Sequence, residues 1–224
     1  MVRAMQGEAP CVPLAIEYLD RLAVAGRRER IPARAIVPLD APLVALVVSG
    51  ALRVFRNAAF VRDVTLFYAR SGDVLGADTL FEERSAESGA QAIVESEVVM
   101  LTREAFESVA LEDARLYVEI AMNLGLRADR IQQKVEALSR APVESRVAAA
   151  LLELADLFGT PVAAGTRLEL PLSQQDLAEL AGTTRESASG AVAAFARRGL
   201  VRGSRLKGLV VLDRDALERL RAPR

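Results

Sequence analysis

The chain has 224 residues, 51% hydrophobic and 26% charged, with a formal net charge of −1. This composition suits a soluble fold with an ample core, and no run approaches the roughly 18 apolar residues of a membrane span. There is no histidine and one cysteine, Cys11, so the commonest general base is missing and a four-thiolate zinc or iron–sulfur site in one chain is excluded.

These absences predict no metal site and remove many enzyme readings, leaving Lys, Asp, Glu and Tyr chemistry open; with the motifs later in the chain, the expectation is no enzyme. A lone cysteine forms no internal disulfide, so a reducing, cytoplasmic compartment is expected.

The first residues, MVRAMQGEAPCVP, lack the sustained apolar core of a secretory signal and read as a loose arm. Residues 14–25, LAIEYLDRLAVA, read as a short amphipathic helix. Between Ile31 and Met100 come short β-rich runs: Leu43–Val48, Ala51–Arg56, Val61–Tyr68, Ala92–Glu95 and Val98–Leu101. Gly50, Gly72 and Gly76 punctuate them where tight turns are useful. Several short strands in about 70 residues predict a compact antiparallel roll or barrel.

Residues 111–138 read as a long helix, in which Ile120, Leu124, Ala128, Ile131, Val135 and Leu138 recur at spacings of 4, 4, 3, 4 and 3. The stripe approximates a coiled-coil seam. Two readings are open: a seam joining two copies of the chain, or packing on the chain's own roll. The first is preferred because so long a helix exceeds what one small roll covers. Pro142 ends the helix and places a hinge near Ser139–Val143.

Residues 144–158, ESRVAAALLELADLF, form a further helix, followed by a loop at Gly159–Gly165 that contains Pro161. Ser173 is an N-cap with Asp176 three residues on, and Leu177, Leu180 and Ala181 give the inner face of a short helix. Gly182 allows a sharp turn. Thr183 and Glu186 supply a second capping signal, and Ala188, Val192 and Phe195 the inner face of the next helix. Two short capped helices joined in this way predict a helix-turn-helix.

Arg185, Glu186, Ser189, Gly190 and Ala193 then point outward at the end of the helix that enters the major groove in such motifs. Arginine holds guanine O6 and N7, and a carboxylate accepts from cytosine N4. Glu186 has a plainer alternative role, completing the cap. After Gly199 the chain reads as a hairpin with Arg202, Arg205 and Lys207 as phosphate contacts.

The charge distribution agrees with this reading. Residues 1–139 hold 16 basic and 20 acidic side chains, net −4, whereas 140–224 hold 13 and 10, net +3. Arg185–Lys207 alone has six bases and one acid. A local positive patch on an acidic chain suits phosphate binding.

Over residues 30–213 the chain resembles the cyclic-AMP receptor protein/fumarate-nitrate regulator family of dimeric transcription factors. The resemblance rests on VVSGALRVF, RSGDVLGADTLF, the long helix before Pro142, and LSQQDLAELAGTTRES with its wing. It implies an α+β fold: an antiparallel, cupin-like β-roll at 1–110, a dimerisation helix at 111–139, and a winged helix-turn-helix at 140–224. It also implies that Arg185 and Glu186 read bases, that Ser173, Gln174, Thr184 and Ser187 touch phosphate, and that RNA polymerase is met through Phe158–Gly165. The family often carries an arginine where this chain has Gly190.

The implied effector pocket involves Gly76, Asp78, Arg84 and Ser85. Cyclic-AMP binders of the family have a glutamate after the glycine, where this chain has Ala77, and an arginine–serine or arginine–threonine pair. Here Arg84-Ser85 falls several residues early, and alignment from SEVVML puts Ala86 and Glu87 in its place. No cofactor is therefore expected, and cyclic AMP is expected not to bind. The expectation is a homodimeric, sequence-specific DNA-binding regulator, an activator with no membrane partner. The alternative is a small-ligand sensor whose roll is the principal site.

Overall fold

The computed structural model describes residues 14–37, 43–56, 64–81, 88–203, 206 and 208–221. They divide into two compact units, one running to Ile131 and the other beginning at Gln132.

The first unit opens with helix α1 (Ile16–Ala25), then strands β1 (Arg27–Ile31), β2 (Ile36–Val37), β3 (Leu43–Ser49), β4 (Ala51–Arg56), β5 (Val64–Arg70), β6 (Val74–Leu75), β7 (Ser88–Ala92) and β8 (Ser96–Thr102). They form two four-stranded antiparallel sheets, ordered β1-β8-β3-β6 and β2-β7-β4-β5. Period-two alternation creates both cores. Ala45, Val47, Val98 and Met100 from one sheet cluster with Leu52, Val54, Phe67, Ala69, Ala90 and Ala92 from the other. Val44, Leu46, Val99 and Leu101, on the opposite face of the first sheet, pack with Tyr18, Leu22, Phe106, Leu116 and Ile120. This is the expected antiparallel roll.

Some predicted strand limits shift. The run Ala92–Glu95 is mostly a bend, and the strand lies before it at Ser88–Ala92. Gly89 hides that strand from a propensity reading. A Cβ there would lie 2.8 Å from the Phe55 ring, so the close approach selects glycine. Strand β1 went unread because its sequence, RRERI, has no apolar alternation.

Two helices replace the single one expected from residue 111: α2 (Arg103–Glu112) and α3 (Arg115–Arg140). Asp113 makes the break. Its backbone is extended, Oδ1 accepts from the Arg115 amide at 3.0 Å, and Oδ2 accepts from the Tyr18 hydroxyl at 2.8 Å. The carboxylate thus supplies a cap for α3 and a tie to α1.

The second unit contains α4 (Val143–Phe158), β9 (Gly159–Val162), β10 (Gly165–Leu168), α5 (Gln174–Ala181), α6 (Arg185–Arg197), β11 (Val201–Arg202), β12 (Val210–Val211) and α7 (Arg214–Arg221). Its sheet runs β11-β12-β10-β9. The stretch expected to be a loop at Gly159–Gly165 is instead a hairpin, with Gly165 opposite Val162 and Leu168 opposite Gly159. Pro161 is tolerated because β9 is an edge strand.

Helix α7 was not foreseen. Arg214 holds it to α4 through a bidentate pair with Asp156 at 2.6 and 3.0 Å. Val147, Leu151, Leu154, Leu177, Leu180, Ala188, Val192 and Phe195 are all buried, the interior of a three-helix core formed by α4, α5 and α6. No helix among the described residues is long and apolar enough to cross a membrane.

Candidate nucleic-acid interface

Helix α5 begins in a reciprocal capping box. The Ser173 amide donates to Asp176 Oδ2 at 2.7 Å, and the Asp176 amide donates to Ser173 Oγ at 3.2 Å. The helix stops at Gly182, which is left-handed with φ 61° and ψ 48°. Arg146 of α4 braces this end, donating from Nη1 to the carbonyls of Ala181 at 3.2 Å and Gly182 at 2.6 Å. A Cβ at position 182 would lie 2.2 Å from Leu138 Cδ2. The turn of the motif is therefore closed by a hydrogen-bonding arginine on one side and a leucine on the other.

The second cap is one residue later than expected. Thr184, not Thr183, is the N-cap of α6, and its Oγ1 accepts from the Ser187 amide at 3.2 Å. The Thr183 amide is already used in ending α5, donating to the Ala178 carbonyl at 2.9 Å. Glu186 consequently falls at the second helical position, outside the Thr184–Ser187 cap.

Helix α6 buries Ala188, Ala191, Val192 and Phe195. Diametrically opposite lies an exposed line, Glu186, Gly190, Ala193 and Arg197, at spacings of 4, 3 and 4, with Arg185 and Ser189 along one flank. Arg197 was not singled out in the sequence, though its place on this line follows from the helical period.

Thr184, Arg185, Glu186 and Ser187 are brought together at the exposed start of α6, and Ser189 is half-buried one turn on. Exposed Ser173 and half-buried Gln174 open α5, and Arg202 is exposed on β11. Arg205 and Lys207 lie outside the described residues. The cluster offers hydroxyls and a guanidinium for phosphate or base edges, with a carboxylate as the acceptor.

In the roll, Gly76 has φ 72°, and a Cβ there would lie 2.5 Å from the Leu43 carbonyl, so the turn requires glycine. Ala77, at 2% exposure, is buried, whereas Asp78 faces solvent. Thr79 Oγ1 donates to the Gly76 carbonyl at 2.7 Å, and Arg103 donates to the Thr79 carbonyl. Arg84 and Ser85 lie outside the described residues. Sequence reasoning missed Arg127 of α3, whose guanidinium sits 5.1 Å from the centre of the Phe67 ring and donates to the Val74 carbonyl. Its place among polar residues on a long helix gave no sign of that contact.

The predicted stripe on α3 divides. Ile120 is buried in its own unit at 1% exposure and Leu124 is half-buried against the same cluster, so Ile120 has no surface to give a partner. Ala128 is exposed, as are Ile131 at 39%, Val135 at 58% and Leu138 at 43%. Towards the start of α3 the exposed apolar positions are Val118 and Met122.

An antiparallel roll and a winged helix-turn-helix in one chain point to a DNA-binding transcription regulator. Residues 145–220 match the Crp-like helix-turn-helix domain, and residues 40–113 match the cyclic nucleotide-binding domain. The chain is 31% identical over 175 residues to the CRP-like cAMP-activated global transcriptional regulator of Mycobacterium tuberculosis, covering 78% of this chain and 76% of that protein. It is 30% identical over 172 residues to the transcriptional regulator LdrP of Thermus thermophilus, covering 76% and 83%. The solved structure of the c-di-GMP responsive global regulator CLP of Xanthomonas campestris aligns with a TM-score of 0.74 at 25% identity, over 88% of this chain and 99% of that one. The chain belongs to the CRP/FNR family of transcription regulators.

Proposed function

We propose that the protein is a cytoplasmic homodimer that reads a palindromic operator with the outward face of α6 and activates transcription by meeting RNA polymerase. The observation that carries the DNA reading is the capped, braced helix pair. It leaves Arg185 and Glu186 exposed at the N-terminal end of α6, the end that contacts base edges in helix-turn-helix proteins. Arg202, with Arg205 and Lys207 of the wing, contacts phosphate, as do Ser173, Gln174, Thr184 and Ser187. The polymerase surface is the exposed part of the β9–β10 hairpin, Thr160, Pro161, Ala163 and Ala164.

Two features of α3 support the dimer. Its exposed apolar positions, Val118, Met122, Ile131, Val135 and Leu138, need cover. Gly125 lies among them in mid-helix, and a Cβ there would meet nothing within 4 Å. Glycine costs a helix about 1 kcal/mol relative to alanine, and close approach by a second helix gives that cost a purpose. Ile131, Val135 and Leu138 share one face of α3 and carry the seam, whereas Val118, Met122 and Gly125 share another, roughly a third of a turn round the helix, and form a separate apolar strip towards its start.

The effector is not cyclic AMP. Where the family's nucleotide binders place a carboxylate, this chain has buried Ala77, and Asp78 beside it faces solvent. The protein binds DNA constitutively or answers to another small ligand. Selection of duplexes from a random pool by the full-length protein tests the reading. A pseudo-palindrome with half-sites about 34 Å apart is expected, and recovery of single half-sites refutes the dimer.

A further inference from the structure

One residue on the exposed line of α6 has no explanation within the chain. Gly190 lies in mid-helix with ordinary helical backbone, and it is absent from the positions of left-handed φ. A Cβ there would meet nothing within 4 Å. Neither turn geometry nor packing requires glycine, and alanine would stabilise the helix. Gly182 is the contrast: there a left-handed φ and the Leu138 contact both exclude a side chain.

A glycine that the fold does not need is explained by something outside the chain that approaches the backbone closely. Its neighbours on the line say what approaches. Gly190 is one turn beyond Glu186 and one turn before Ala193, directly opposite the buried face, with Ser189 and Arg185 on the flank. It therefore faces the floor of whatever groove α6 enters, and not its phosphate walls. The surface at Gly190 and Ala193 offers no side-chain donor or acceptor. Of the groups displayed in a major groove, the one read by apolar contact is the C5-methyl of thymine.

We infer that Gly190 is a specificity-determining residue: its missing side chain, with Ala193, forms the seat for one thymine methyl group in each half-site. This rests on the reading that α6 enters the major groove, and it adds a base that Arg185 and Glu186 do not read. Hydrogen bonds from Arg185 on the flank and Glu186 on the line select guanine and cytosine, while steric fit at Gly190 selects thymine.

The test exchanges a methyl on the base for a methyl on the protein. Duplexes selected by the wild-type protein are remade with each thymine in turn replaced by uracil, which pairs identically but lacks the methyl. Dissociation constants are measured at fixed salt for wild type, Gly190→Ala and Gly190→Ser. Wild type should lose about fourfold at one thymine per half-site, the worth of one buried methyl. Gly190→Ala should melt about 2–4 °C higher than wild type, because it is the better helix former. It should nevertheless bind the thymine operator about tenfold more weakly, as for one mismatched base pair. Uracil at the same position should restore its binding, reversing the preference, and Gly190→Ser should show the same reversal.

Arg185→Ala is the control: weaker binding, with the wild-type thymine preference kept. If Gly190→Ala equals wild type on the thymine operator, or loses equally on every uracil variant, the glycine assignment is overturned and the groove reading stands. If the wild-type protein selects no duplex at all, the groove reading falls and takes this inference with it.

Discussion

Gly182→Ala probes whether the turn between α5 and α6 is built as described. An alanine in the left-handed region costs about 1–2 kcal/mol. The new Cβ would also lie 2.2 Å from Leu138 Cδ2, and overpacking of that kind costs about 1–3 kcal/mol. Leu138 is 43% exposed, so its end can swing towards solvent and the steric part belongs at the low end. The sum is a loss of about 2–4 kcal/mol, read as a shift in the urea midpoint of the full chain at unchanged slope. Leu138→Ala removes the atom that clashes. In the double variant only the left-handed strain and the lost leucine contacts should remain, so the two changes should be less than additive by about 1–2 kcal/mol. Operator affinity of Gly182→Ala alone should fall as well, because the turn fixes how α6 is presented; Leu138→Ala is read by stability only, since Leu138 also belongs to the proposed seam. Strict additivity would refute the contact and, with it, the account of how the turn is closed.

The remaining predictions concern the reading helix, the seam, the effector and the roll. Arg185→Ala should cost about 1–3 kcal/mol of operator binding and relax preference at one base pair in a single-base variant series; equal loss on every variant would make Arg185 a phosphate contact. Ile131→Arg and Val135→Arg should each give monomers by sedimentation and weak operator binding, because a two-fold seam doubles and desolvates the added charge. Calorimetric titration with cyclic AMP should show no tight binding, and a micromolar constant with a gain in DNA affinity would overturn the pocket reading.

The Tyr18–Asp113 pair should shape the pH profile of stability. The Arg115 amide and the Tyr18 hydroxyl hold the Asp113 carboxyl below its ordinary pKa, and donation to that carboxylate pushes the Tyr18 phenol up to about 12. The carboxylate's contribution is present above its unfolded pKa and lost as pH falls through the folded one. The phenol's is present below its ordinary pKa near 10 and lost as pH rises towards about 12. Tyr18→Phe should abolish the alkaline part, so its stability difference from wild type should shrink between those limits.

Much of the second unit was legible because its signals are local. Ser173 with Asp176, the glycine at 182 and the spacing of Ala188, Val192 and Phe195 each fix a boundary or a face within a few residues. The second cap was misplaced by one residue because Thr183 and Thr184 are equivalent as caps. Only the return of the Thr183 amide to Ala178 separates them.

The failures were at places decided by distant partners. The break at Asp113 depends on Tyr18, 95 residues away. The strand over Ser88–Ala92 depends on the Phe55 ring passing over Gly89. The long-helix stripe was assigned to one surface because its period is even, yet Ile120 had been claimed by the roll. Periodicity says which residues share a face and nothing about how many neighbours share it. The reach of Arg127 to Phe67 and Val74 left no trace in local pattern either.

Gly125 and Gly190 bear on any attempt to make this protein more robust. Both are mid-helix glycines with open space where a Cβ would stand. Exchange of such residues for alanine is a standard route to higher melting temperature, and a stability screen on the isolated chain would rank these two sites highly. If α3 and α6 meet their partners as proposed, each exchange would strengthen the monomer's helix while obstructing, in turn, the second subunit and the operator. A heat-resistant variant obtained in that way would be a better-folded chain and a poorer regulator, and the selection that produced it would have measured the wrong molecule.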